Sequence, residues 1–268
     1  MNAYRPFFGF TKEPFSTDLS MTDILKTTEL LAVNSRFQYA LSVGGVAVIT
    51  GEIGSGKSTA IRYAQGQLHP SEYVCFHVIS TSGGILELYR QIAHAIGIER
   101  LSTSKALMTS MIRTEIKNLV SSKKLRPVLI IDEASLLRLD VFAELHTLLQ
   151  FEQDAKSHLP LILVGGASII DKLSFRNSAA LASRVITRCH LEGQNLQDMQ
   201  IYLAHHTKIA GVTTHLFDDP ATVAIHQGSG GILRKANHLA RGALIAAAKD
   251  HSQTVTADHV RLASTEII

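Results

Sequence analysis

The run Val46-Ala47-Val48-Ile49-Thr50 leads directly into Gly51-Glu52-Ile53-Gly54-Ser55-Gly56-Lys57-Ser58, and the reading of this junction decides the fold. Five consecutive apolar or β-branched residues predict a buried strand, and Ser58–Leu68 carries helical spacing. The octapeptide between them fits the pattern G-x-x-x-x-G-K-[ST]. Glycines there let the backbone curl until successive N–H groups point inward, at the positive end of the following helix. That geometry suits phosphate. Lys57 is expected to reach the β- and γ-phosphates of ATP, and the Ser58 hydroxyl to ligate Mg²⁺. Gly51, Glu52, Ile53, Gly54, Ser55, Gly56, Lys57, Ser58 and Thr59 are therefore assigned to nucleotide contact.

A second stretch fits the first. Val128-Leu129-Ile130-Ile131 predicts another buried strand, and Asp132-Glu133 follow at its C-terminal edge, where parallel sheets bind their ligands. Asp132 is expected to hold the Mg²⁺ shell beside Ser58. Glu133 is placed to polarise an attacking water. Working outward, strands are expected at Tyr73–Ile79, Leu161–Val164 and Val185–Leu191, alternating with helices near 22–43, Ile85–Ile96, Lys105–Val120 and Val141–Glu152. Short apolar runs between helices indicate a parallel sheet flanked by helices. After Gly193 the expected segments, Leu196–Ala210, Pro220–His226, Leu233–Ala248 and Thr256–Ala263, are all helical. A small all-helical lid is the natural reading. The aromatic and turn-rich opening, with Phe7, Phe8, Phe10, Pro14 and Phe15, predicts a packed arm. Three parts are expected: 1–44, arm and helix; 45–192, phosphate-binding core; 193–268, helical lid.

Composition excludes several classes. Of 268 residues, 46% are hydrophobic and 18% charged, which is too apolar for a disordered chain. The most apolar stretch, Leu159–Ile170, is shorter than the roughly 20 residues a membrane helix needs, and no secretory signal opens the chain. Cys75 and Cys189 are too few for a disulfide scaffold, pointing to a cytoplasmic location, and both sit in apolar runs that predict small core residues. The 13 histidines show no metal-ligand spacing.

Lys+Arg 26 against Asp+Glu 23 gives +3, an average that hides an uneven distribution. Between Arg100 and Arg126 seven basic residues (Arg100, Lys105, Arg113, Lys117, Lys123, Lys124, Arg126) accompany one acid, Glu115. Such a segment suits a phosphate backbone. Thr81-Ser82-Gly83-Gly84 and Ser102-Thr103-Ser104-Lys105 each precede a helix, offering small hydroxyls and backbone N–H groups of the kind that contact phosphate without reading sequence. Hydrolysis also gains from an arginine supplied by a neighbouring subunit. Arg184, just before the last strand, and Arg188 within it are the candidates. Arg234, at the start of a lid helix, could sense the nucleotide.

At this point the chain resembles the AAA+ ATPases, and within them the ExeA-like branch that includes transposition regulators of the TnsC, TniB, MuB and IstB type. FFGFTKEPFS, TGEIGSGKST, VLIIDEA, LLQFEQD, LILVGGASI, ASRVITRCHLEG and GGILRKANHLARGAL carry that resemblance in family order. It implies a P-loop AAA+ core with a helical lid, ATP hydrolysis with Mg²⁺, Arg184 as the arginine finger and Arg234 as the sensor-2 arginine. One departure is Gly166, which stands where relatives often carry a polar sensor-1 residue. That implies slow or partner-stimulated turnover. The branch also contains secretion-type members that continue into a membrane segment. A chain ending just after the lid is expected to resemble the compact transposon-encoded members. For those, the resemblance implies oligomers, ring or filament, on duplex DNA without sequence preference, a DDE-type transposase as partner, and no membrane. It also carries phosphate-backbone contact to Thr81, Ser82, Gly84, Ser102, Thr103, Ser104 and Lys105.

Overall fold

A computed structural model describes residues 4–265. Along the chain these form α1 (Tyr4–Phe8), α2 (Thr28–Val43), β1 (Val46–Gly51), α3 (Lys57–Gly66), β2 (Tyr73–Ile79), α4 (Ile85–Ile96), α5 (Lys105–Ser121), β3 (Arg126–Asp132), α6 (Leu139–Leu145), β4 (Leu161–Gly165), α7 (Ser168–Ser174), α8 (Ala179–Ala182) and β5 (Val185–Leu191), followed by α9 (Leu196–Ile209), α10 (Asp219–Ser229), α11 (Leu233–Lys249) and α12 (Ala257–Thr265). By spatial proximity the chain divides into two units.

The sheet unit comprises Glu29–Glu52 and Lys57–Leu191. Its five strands lie in the order β2-β3-β4-β1-β5, every pair parallel. Every residue of β1 and β4 is buried, as are five of the seven in β3. These central strands have helices over both faces, which is why they read as unbroken apolar runs. Register pairs Ile49 with Val164 and Ile131 with Leu163, so β1, β4 and β3 end at one edge. On α5, Met108, Ile112, Ile116 and Leu119 recur at helical spacing and are buried with Leu88, Tyr89 and Ile92 of α4. Each such side chain contributes roughly 1.5–3 kcal/mol on burial.

Two expectations for this unit are corrected. Cys75 and Cys189 are only partly buried, because β2 and β5 are the outer strands of the sheet. Partial burial still pushes both thiols up. The helix expected over Val141–Glu152 ends at Leu145. A short 3-10 turn follows, Gln150 is extended, and Glu152, Gln153 and Asp154 all adopt left-handed backbone, φ 48°, 58° and 71°. Such residues cost roughly 1–3 kcal/mol each in non-glycine side chains.

The helical unit comprises Met1–Thr28, Ile53–Gly56 and Glu192–Ile268. This division runs differently from the expected parts 1–44, 45–192 and 193–268. The arm separates at Thr28, and α2 belongs with the sheet. The reason is packing. Tyr4, Phe8, Phe10 and Phe15 share a buried cluster with Met199, Leu203, Ile225, Leu239, Leu244 and Val260, whereas α2 buries Leu30, Val33, Phe37 and Leu41. Arg241 ties the arm further, donating to the Phe15 carbonyl at 2.9 Å and pairing with Glu13 at 3.2 Å. His206 is sandwiched by Phe15, 5.3 Å away and stacked, and Tyr202, at 4.4 Å. Burial pushes its imidazole down to about 3, so it packs as a neutral aromatic ring. Its neighbour His205 instead meets the Asp23 carbonyl at 2.7 Å. Among the described residues no helix is long and apolar enough to cross a membrane.

Candidate nucleotide-binding site

The junction between β1 and α3 takes the shape its glycines permit. Gly54 and Gly56 have φ 87° and 100°, a region in which a side chain is strained. Gly54 has a second constraint. A Cβ there would lie 2.5 Å from the Arg234 Cβ, and the Arg234 N–H donates to the Gly54 carbonyl at 3.1 Å. Ile53 is 78% exposed at the crest of the loop, while Ser55 is buried with its hydroxyl unpartnered among the described residues. Lys57 opens α3 and is buried, its ammonium donating to the carbonyls of Gly51 at 2.9 Å and Glu52 at 2.7 Å. Ser58 is exposed and Thr59 half-buried on the first turn of the same helix.

β3 delivers the carboxylates. Asp132 ends the strand, and its Oδ1 accepts the Glu133 N–H at 2.8 Å. Glu133 is exposed, with left-handed backbone at φ 52°. Two contacts absent from the sequence reading hold that strained turn. The Ser80 hydroxyl donates to the Glu133 carbonyl at 2.6 Å, and Lys172 donates to the carbonyls of Ser135 at 2.5 Å and Leu137 at 2.6 Å. Strand register could have found Ser80, since Ile79 pairs with Asp132. Lys172 lies 39 residues beyond Glu133, and no local signal marks it. Because β4 lies between β3 and β1, its end stands between the carboxylates and the phosphate loop. A Cβ on Gly165 would meet the Ser135 nitrogen at 2.9 Å, yet one on Gly166 meets nothing nearer than 3.7 Å. Space for a polar side chain exists at Gly166 and is unused.

These residues fit Mg-ATP. The loop carries two left-handed glycines, a buried ammonium and an orphaned buried hydroxyl, a donor set suited to a polyphosphate. Ser58 and Asp132 are the residues that would hold the cation. When bound, Mg-ATP supplies the electrophilic γ-phosphate and a cation that neutralises its oxygens. Glu133 would orient and deprotonate water.

The remaining expected residues lie elsewhere. Arg188 is exposed on β5. Arg184 is not extended into solvent. Its guanidinium donates to Asp154 Oδ2 at 2.6 Å and to the Ala180 carbonyl at 2.7 Å. Arg234 is exposed near the start of α11. Gly84 caps α4, and exposed Thr81 and Ser82 precede it, but the Thr81 hydroxyl donates to Glu87 at 2.7 Å. Ser104 caps α5, Ser102 accepts the Ser104 N–H at 3.0 Å, and Thr103 is exposed. Lys105 pairs with Glu144 at 2.5 Å. The basic segment is thus partly used internally. Arg113 lies over Phe151 and Arg126 over Tyr73, 5.5 Å and 5.6 Å from the ring centres, and Lys123 pairs with Glu115 at 3.7 Å.

Residues 41–173 match the family model described as an AAA domain. The chain is 29% identical over 267 residues to the general secretion pathway protein A of Aeromonas hydrophila, covering 98% of this chain and 48% of that protein. It therefore spans about half the length of that relative. Among solved structures it resembles Cdc6p of Pyrobaculum aerophilum, with a TM-score of 0.72, 15% identity, and coverage of 95% of this chain and 70% of that one. The Aeropyrum pernix ORC1 protein in complex with DNA gives 0.66, 16%, 94% and 68%. The RuvB Holliday junction branch migration motor of Thermotoga maritima gives 0.54, 17%, 97% and 73%. At these identities the solved structures establish the fold, a P-loop AAA+ arrangement. Together, the AAA domain at 41–173 and the likeness to the secretion pathway protein support an AAA+ ATPase.

Proposed function

We propose that the chain is an ATP-dependent, DNA-binding regulator of transposition. It assembles on duplex DNA with ATP, presents that DNA to a DDE-type transposase, and hydrolyses ATP to disassemble. The observation that carries the ATPase part is the convergence on one sheet edge of Lys57, at the end of the phosphate loop, with Asp132 and Glu133 at the end of β3. Arg234 is proposed as the nucleotide-sensing arginine, supported by its backbone bond to Gly54. Arg184 is proposed as the arginine acting on a neighbouring subunit's nucleotide, as the family resemblance implies.

The DNA part rests on the resemblance and on α5. A cleft of about 460 Å³ along that helix is lined by Lys105, Arg113 and Lys117, by one acid, Glu144, which pairs with Lys105, and by the hydroxyls of Ser110 and Thr114. Cations and small hydroxyls in one groove suit a phosphodiester backbone and predict steep salt dependence. Thr81, Ser82, Gly84, Ser102, Thr103 and Ser104 are proposed as accessory backbone contacts at the helix starts. Sedimentation with plasmid DNA tests the proposal. Retention in ATP and release in ADP are expected, whereas equal retention with ATP, ADP and no nucleotide refutes it.

A second reading has its own observation. The A. hydrophila relative is named for general secretion, so an ATPase acting on an envelope-assembly protein partner is the alternative. Absence of DNA binding under all nucleotide conditions, with ATP hydrolysis intact, favours it.

A further inference from the structure

The segment from Glu152 to Asp154 combines features that nucleotide binding does not explain. Phe151 and Leu159 are buried at 0% and 2% exposure and fix its two ends, and Phe151 bridges to Lys156 in antiparallel fashion. Between these anchors, three successive non-glycine residues hold left-handed backbone. Side chains keep this strap in place. Lys156 pairs with Glu152 at 2.8 Å, His158 approaches Glu152 at 3.6 Å, and Asp154 grips Arg184 at 2.6 Å. Arg184 donates from a second nitrogen to Ala180, and its side chain is 20% exposed. An arginine meant for a neighbour's γ-phosphate is thus held twice by its own subunit.

We propose that Asp154 is a latch that keeps Arg184 out of action in the isolated subunit, released when a second copy of the chain presents its bound nucleotide. This rests on the reading of Arg184 as the trans-acting arginine. Chemistry favours such an exchange. A polyphosphate is a stronger acceptor for a guanidinium than one half-exposed carboxylate, and a strained strap gives up stored strain when it lets go. The latch suppresses hydrolysis in free subunits and ties turnover to assembly.

Phosphate release measured against subunit concentration tests this in four proteins: wild type, Asp154→Asn, Arg184→Ala and the double variant. Asp154→Asn keeps the size of the side chain and removes the charge. It should reach half-maximal turnover at a subunit concentration about two- to fivefold lower than wild type, the range a surface ion pair supplies. Arg184→Ala should lose the concentration-dependent rise, and the double variant should match it. An Asp154→Asn curve that overlays wild type, or moves to higher concentration, while Arg184→Ala loses turnover, overturns the latch and leaves the finger standing. Wild-type turnover in Arg184→Ala overturns the finger and the latch together.

Discussion

The phosphate loop and the Glu152–Asp154 strap both depend on left-handed backbone, and they obtain it by opposite means. In the loop it falls on Gly54 and Gly56, where it costs little and needs no support. In the strap it falls on Glu, Gln and Asp, and ion pairs to Lys156 and Arg184 hold it. The difference teaches what each segment is for. A shape built from glycine is reached without strain and needs no side-chain contacts to hold it. A shape maintained by salt-sensitive contacts can be undone by a competing charge. In the proposed reading, the first segment binds ATP and the second decides when hydrolysis proceeds.

Gly54→Ala should have the larger effect on this contrast. Its Cβ combines an unfavourable φ with a 2.5 Å approach to Arg234. Strain and overpacking together should destabilise the protein by about 2–4 kcal/mol and weaken nucleotide binding, measured by chemical denaturation and by titration of ATP. Stability within about 0.5 kcal/mol of wild type would mean that the loop does not need its glycine. Gln153→Gly should act in the opposite direction and more weakly. Removing one side chain from left-handed backbone should stabilise by about 0.5–1 kcal/mol. Thermal unfolding checks it, with a rise in Tm of about 1–4 °C. A fall in Tm would show that Gln153 contributes contacts that outweigh its strain.

The two segments were not equally legible. Glycine spacing at 51, 54 and 56 and the lysine at 57 announce the phosphate loop, because few other structures need that pattern. β1, β3 and β4 were legible for a related reason, since strands buried on both faces must be apolar throughout. β2 and β5 carry similar runs, so their half-exposed position at the sheet's margins was not. The expected helix, Val141–Glu152, overruns Leu145 and reaches the first residue of the strap. Glu and Gln favour helices, and nothing local shows that Phe151 is pinned and Asp154 drawn toward Arg184, 30 residues later. Pairings such as Lys105 with Glu144 and Thr81 with Glu87 likewise depend on the folded chain. They reduce the positive charge that a count along the sequence assigns to the Arg100–Arg126 segment.

The central claim is that this sheet edge hydrolyses ATP through Glu133. Glu133→Gln, assayed for ATP binding and for phosphate release on the same preparation, tests it most directly. Binding should stay close to wild type, because the phosphate loop and Lys57 are untouched, while phosphate release should fall by about 10²–10⁴-fold. Phosphate release at the wild-type rate would contradict the account.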